Sequence, residues 1–233
     1  MATIRILSGG AAQAVVEKIA VVFERDTGHN INGEFSAVGA MRDKVVAGEL
    51  VDVVILTAPL VDELIGKGLV AGARADLGRV GTGVAVRAGT PLPDVSNVRT
   101  LRGNILAANR IVCPDPAVAT AGKVVMSMLD RLGITDAVQA RLKFFPNGYA
   151  AMGWLGRSTG TLEMGITQMT EIRANEGVTL AGSLPDELQA KATYSAGLAT
   201  RAGHSEAARE FIARLTAPEA KPVLAAAGFE LGN

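Results

Sequence analysis

Three times along this chain a short apolar run gives way to small or hydroxyl residues and then to a segment with helical periodicity: at Ser8-Gly9-Gly10-Ala11, at Ser36-Ala37-Val38-Gly39-Ala40 and at Ala119-Thr120-Ala121-Gly122. A strand that turns through such residues into a helix must lay that helix back on its sheet, so the recurring junction confines the chain to α/β architectures. Thr3 to Leu7 reads as the first strand and Ala11 to Thr27 as the helix after it, with Val15, Ile19, Val22 and Phe23 on one face. Ile31 to Phe35 is a strand, Ser36 to Gly39 a turn, Ala40 to Ala47 a helix, and Val51 to Leu56 a strand of the fully buried type. A helix from Pro59 to Lys67 stops at Gly68, and Gly81 to Val86 is a strand closed by Gly89-Thr90-Pro91.

The pattern then restarts. Ile111 to Cys113 is a strand, Pro114 to Ala121 a loop, and Gly122 to Leu132 a helix with Val125, Leu129 and Leu132 on its apolar side. A glycine-rich stretch, Gly153 to Gly160, precedes a short strand from Glu163 to Thr167, and the tail from Glu206 to Ala227 reads as two helices split by Pro218. No low-complexity linker separates the halves, so two α/β lobes joined by ordinary strands are expected.

Each small-residue junction is a candidate anion cradle. The first N–H groups of a helix lack internal partners, the peptide dipoles add about half a positive charge there, and small residues let an oxyanion come close. If the strands are parallel, all three junctions lie at strand carboxyl ends, where open α/β sheets take their ligands. The alternative is that these residues only cap helices. A local grip of this kind is needed, because 23 Lys+Arg balance 23 Asp+Glu and leave no field to attract nucleic acid or anionic lipid. With 48% hydrophobic and 20% charged residues the chain is not disordered.

Other chemistries find little purchase. One cysteine, Cys113, excludes internal disulfides and multi-cysteine metal sites, and two histidines, His29 and His204, do not suggest a metal centre, so neither metal nor cofactor is expected. There is no Walker A loop and no Gly-x-Ser-x-Gly elbow, and Cys113 reads as a buried structural thiol at a strand end. No apolar run reaches the roughly 18 residues of a membrane span, so no membrane insertion is expected. Met1 to Gly10 lacks the basic start and apolar stretch of a signal peptide, which predicts a cytoplasmic chain as it stands, or a periplasmic one if a leader has been removed.

Taken in order, Ile6-Leu7-Ser8-Gly9-Gly10-Ala11, Phe35-Ser36-Ala37-Val38-Gly39-Ala40 and Ala47-Gly48-Glu49-Leu50-Val51-Asp52-Val53-Val54-Ile55 resemble the substrate-binding proteins of ABC molybdate transporters. Asp115 to Gly122 is similar to that family's second-lobe loop, Leu162 to Thr167 to its glycine-containing strand near the ligand, and Ala208 to Phe229 to its C-terminal helices. The resemblance implies a two-lobed type II periplasmic-binding-protein fold with a mixed sheet in each lobe and a ligand cleft between them. Lobe 1 would comprise residues 1–82 and 196–233 and lobe 2 residues 83–195, with crossings near Val80 to Val86 and Tyr194 to Leu198.

For the ligand site the resemblance implies hydroxyls and backbone N–H groups from Ser8, Gly9, Gly10, Ser36, Val38 and Gly39 in the first lobe. From the second it implies Ala119, Thr120 and Ala121, with a further backbone donor at Asn147-Gly148-Tyr149. Where the family carries a tyrosine, after Gly165-Ile166-Thr167, this chain has Gln168, an amide that both donates and accepts and suits an organic acid. The ligand is therefore expected to be a small carboxylate or a tetrahedral oxyanion, and the partner of an exported chain an ABC permease. Relatives that are aconitate isomerases imply the alternative of an enzyme moving a proton in the same cleft, with Tyr149, Gln168 and Glu163 as catalytic candidates. Arg42 and Arg110 are candidates for pairing with carboxylates.

Overall fold

The computed structural model describes residues 1–232. It divides into two compact units, Met1–Val80 with the chain from Ala192 onward, and Gly81–Lys191. The first unit runs β1 (Thr3–Gly9), a 3-10 turn at Gly10–Ala12, α1 (Gln13–Thr27), β2 (Asn30–Ser36), α2 (Val38–Val46), β3 (Val53–Thr57), α3 (Ala58–Gly66) and β4 (Val70–Val80). The second carries β5 (Thr82–Arg87), α4 (Val98–Ala107), β6 (Arg110–Pro114), α5 (Thr120–Arg131), α6 (Thr135–Val138), β7 (Leu142–Phe145), α7 (Gly148–Arg157), β8 (Glu163–Gln168), α8 (Met169–Arg173) and β9 (Val178–Ser183). The chain re-enters the first unit as β10 (Ala192–Ala199), α9 (Ser205–Thr216) and α10 (Lys221–Ala227).

The two sheets repeat one layout. In the first, the order is β2-β1-β3-β10-β4, with β1 parallel to β2 and β3, and β10 antiparallel to β3 and β4. In the second it is β7-β6-β8-β5-β9, with β6 parallel to β7 and β8, and β5 antiparallel to β8 and β9. In both, the reversed fourth strand is the one by which the chain enters the unit. The result is a two-lobed α/β fold.

Burial follows the sequence pattern. All five residues of β3 are buried, as an interior strand requires, whereas β1 alternates at its start, with Ile4 and Ile6 inward and Thr3 and Arg5 outward. Phe23 of α1 meets Phe211 of α9 edge-on at 5.1 Å in the first core. In the second unit, successive residues of β6 feed opposite faces: Ile111 and Cys113 pack with Val125, Met128 and Leu129 of α5, and Val112 packs with Ala151, Met152 and Leu155 of α7.

Several expectations need correction. Val22 is 42% exposed, and the inward face of α1 is completed by Val16 and Ala20. Helix α2 begins at Val38 and α5 at Thr120, each two residues earlier than expected, because the extended residue that ends the preceding loop is Ala37 in one case and Ala119 in the other. The glycine-rich segment is helical through Arg157; Gly156 is there because a Cβ would come within 2.9 Å of the Gly177 Cα. Strand β4 has no counterpart in the pattern reading. It is an edge strand carrying Arg74, Asp76 and Arg79, charges that discourage edge pairing and erase the apolar alternation. The chain passes between units at Val80–Gly81 and Lys191–Ala192, so residues 194–198 are the middle of β10 within the first unit.

Candidate functional site

In the first unit the three parallel strands end level with one another: Gly9 pairs with Ser36, and Ser8 with Ile55, two residues before the end of β3. From each end a helical segment starts at an extended cap residue: Gly9 (φ −64, ψ 142), Ala37 (φ −62, ψ 138) and Thr57 (φ −66, ψ 145). At none of the three caps does a side-chain oxygen accept from the helix N–H groups. Capping therefore does not account for these junctions. The start of α3, with Thr57 as its cap and Pro59 in its first turn, is a junction of the same kind that the small-residue pattern does not mark.

Gly9 is required by close approach, since a Cβ would lie 2.5 Å from Val38 Cγ1 and 2.9 Å from Tyr194 Cε1. That crowding brings β1, α2 and β10 together. Tyr194 is buried and stands edge-on to Phe229 at 6.3 Å. Ser8 is fully buried and its hydroxyl donates to the Gly9 carbonyl at 3.0 Å; Gly10 and Val38 are buried, and Ser36 and Gly39 half-buried.

The second unit adds a fourth uncapped start. Ala119 (φ −114, ψ 131) precedes α5 with no side-chain cap, Ala119 and Ala121 are buried, Thr120 is half-buried, and Gly122 lets the helix pass the Pro114 carbonyl, to which a Cβ would come within 2.5 Å. Gln168 ends a strand of the same sheet. Met164 and Ile166 of β8 share a core with Val125 and Leu129 of α5, and alternation carries Gln168, the last residue of that strand, to the same face. Thr82 lies opposite Gln168 in the antiparallel ladder, so its side chain stands on that face too. Because β6 runs parallel beside β8, the start of α5 and the Gln168 amide fall at the same edge of the sheet.

Gln168 is 2% exposed, and neither its Oε1 nor its Nε2 has a hydrogen-bond partner. The hydroxyls of Thr82 and Thr170 are likewise buried and unpartnered, and among the described residues these are the buried side-chain polar atoms left unsatisfied. Leaving such an atom unpaired costs about 1 to 3 kcal/mol, so their concentration on Gln168, on the residue opposite it and on the residue two beyond it marks this strand end. Gln168 was legible in the sequence. Thr82 and Thr170 were not, because nothing in the local pattern distinguishes a buried threonine hydroxyl from an exposed one.

Other expected residues do not gather here. The amides of Gly148 and Tyr149 donate to the buried carboxylate of Glu171, as do the Gln168 N–H and, at 2.6 Å, the Thr167 hydroxyl. An internal carboxyl thus occupies the start of α7, and Gly148 has no room for a Cβ beside it. Burial pushes the Glu171 carboxyl up to about 7, against the opposing pull of those donors. The Tyr149 hydroxyl donates to the Ala174 carbonyl at 3.3 Å. Glu163 opens β8, five residues and about 16 Å along the strand from Gln168, so the two do not share a site. Arg42 is engaged with Asp43 at 2.6 Å and Glu63 at 3.1 Å, and Arg110 lies 3.9 Å from Glu163.

Cys113 is fully buried and its thiol is pushed up to about 12 by that burial. His29 Nδ1 accepts from the Ala2 N–H at 3.1 Å, and the His204 N–H donates to Asp52 at 3.0 Å. Among the described residues no group of three His, Cys, Asp or Glu side chains is placed to hold a metal, and no helix is long and apolar enough to cross a membrane.

A family model for bacterial extracellular solute-binding proteins matches residues 4–230. Aconitate isomerase of Pseudomonas sp is 26% identical over 238 residues, covering 98% of this chain and 87% of the relative. The molybdate-binding protein ModA of Azotobacter vinelandii is 26% identical over 223 residues, covering 94% and 86%. The solved periplasmic molybdate-binding protein of Azotobacter vinelandii has the same fold, with a TM-score of 0.81 at 20% identity over 99% of this chain and 100% of that one.

Proposed function

This chain belongs to the bacterial extracellular solute-binding protein family, and we propose that it binds a small organic-acid anion at the carboxyl ends of its parallel strands. Each unit presents candidate groups of its own: Ser8, Gly9, Gly10, Ser36, Val38 and Gly39 in the first, and Ala119, Thr120 and Ala121 with Gln168 in the second. The observation that carries this reading is the Gln168 amide, buried with both polar atoms unpaired at the sheet edge where the uncapped α5 begins. Helix N–H groups take the charge of an anion, while an amide in place of a tyrosine supplies neutral donors and an acceptor for an organic framework. The family and the molybdate-binding relative support an anion as ligand, and an ABC permease as partner in the extracytoplasmic compartment is part of the same proposal.

The test is calorimetric titration with molybdate, sulfate, citrate and both aconitate isomers, together with thermal melts. An organic acid is expected to bind at least tenfold more tightly than molybdate, about 1.4 kcal/mol. Molybdate binding more tightly than every acid, or no heat and no thermal shift with any of them, overturns the reading.

A second reading has its own support in the aconitate isomerase relative. Moving the double bond of such an acid requires removing a proton beside a carboxylate and returning it at another carbon. Incubation with cis- or trans-aconitate in deuterated water separates the two: isomer conversion with deuterium uptake identifies an enzyme, and an unreacted complex identifies a binder.

A further inference from the structure

Gln189 shows what a glutamine amide in this part of the second unit pairs with. Its Oε1 accepts from the Thr82 N–H at 2.8 Å and its Nε2 donates to the Thr82 carbonyl at 2.8 Å, so one side chain takes a donor and an acceptor together. Gln168 lies directly across the ladder from the same Thr82 and has neither. The backbone of Thr82 is already taken by Gln189, and the hydroxyls of Thr82 and Thr170 remain outside hydrogen-bond reach of any partner, the Gln168 amide included.

This inventory restricts what a ligand must bring. Nε2 and the two threonine hydroxyls can donate to an oxyanion or a carboxylate, but Oε1 only accepts. A fully ionised oxyanion, or an acid whose oxygens are all carboxylate, offers nothing but lone pairs at neutral pH and would set them against Oε1. A ligand with an O–H next to a carboxylate presents a donor and an acceptor side by side, the complement of an amide and the arrangement that Gln189 finds in the Thr82 backbone. The conclusion does not depend on which amide atom is oxygen, because both are unpaired.

On the reading that Gln168 faces the ligand, we infer that the ligand is a hydroxycarboxylate: a di- or tricarboxylic acid with a hydroxyl beside a carboxylate, rather than a tetrahedral oxyanion or an unsaturated or unsubstituted acid. A site built to pair with a hydroxyl discriminates strongly against the analogue lacking it, because its own buried polar atoms are then left unpaired.

The experiment compares hydroxy acids with their hydroxyl-free counterparts by calorimetry: citrate with tricarballylate, and malate with succinate, with trans-aconitate and molybdate alongside. At least one hydroxy acid should bind twentyfold or more tightly than its counterpart in the intact protein. In Gln168→Met, which keeps the volume and removes both polar atoms, the ratio should fall below threefold, with the hydroxy acid losing more affinity than its hydroxyl-free counterpart; a thermal melt of the unliganded variant establishes that it is folded. If acids bind with no preference for the hydroxyl, or the preference survives in Gln168→Met, the hydroxycarboxylate assignment is overturned and organic-acid binding stands. If molybdate binds best, or nothing binds, both are overturned.

Discussion

Glu171 brings a carboxyl into a buried position whose only compensation is a set of neutral donors, and the consequence is a pH dependence with a definite sign. The native carboxyl keeps its proton up to about 7, whereas in the unfolded chain it releases it near the ordinary value of 4.5. Between those values the unfolded chain binds fewer protons than the native one, so stability falls as pH rises, by up to about 1.4 kcal/mol per unit. Denaturant unfolding at intervals across this window should show the decline, and Glu171→Gln should flatten it. A slope equally steep in the variant would assign the effect to another group. Reading the chain could not have found this residue, because a glutamate one position after a threonine in a short helix looks solvated; only its enclosure by Thr167, Gly148 and Tyr149 changes its chemistry. Gln168 was recognisable in advance because it departs from the residue expected at its position, but that both its amide atoms lack partners depends on which neighbours the packing supplies.

At the scale of elements, the helix starts are where local rules and function compete. Ala119 has the extended geometry of an N-cap and no oxygen to serve it, so Ala119→Ser should stabilise the unliganded protein by about 0.5 to 1 kcal/mol through a new cap bond. The same hydroxyl would take an N–H group proposed for the ligand, so affinity should fall several-fold. Thermal melts with and without the preferred acid read both effects at once; a gain in stability with no loss of affinity would remove the start of α5 from the site. The junctions themselves were legible as strand, small residues, helix. The starts of α2 and α5 were displaced by two residues because small residues were read as turn, whereas Val38 and Thr120 already have helical neighbours to bond. Strand β4 escaped because an edge strand with alternating charges carries little apolar signal, and its identity comes from pairing with β10.

For the molecule as a whole, the balance of 23 basic against 23 acidic residues implies that no long-range field draws the ligand in. The groups proposed to hold it are dipoles and amides, so raising sodium chloride from about 50 to about 500 mM should change the dissociation constant by less than about threefold. A steep salt dependence would point to arginine or lysine side chains in the site. The repeated order of strands in the two units explains why one local grammar sufficed to predict an α/β fold in two lobes: periodicity and small-residue junctions are properties of neighbouring residues, and they appear directly in the chain. The reversed strands β5 and β10, the entry points at Gly81 and Ala192, and the convergence of Thr82 with Gln168 across a ladder depend on residues far apart in sequence. These were decided by hydrogen-bond register and by which side chains exclude water, quantities that exist only after the sheets have formed.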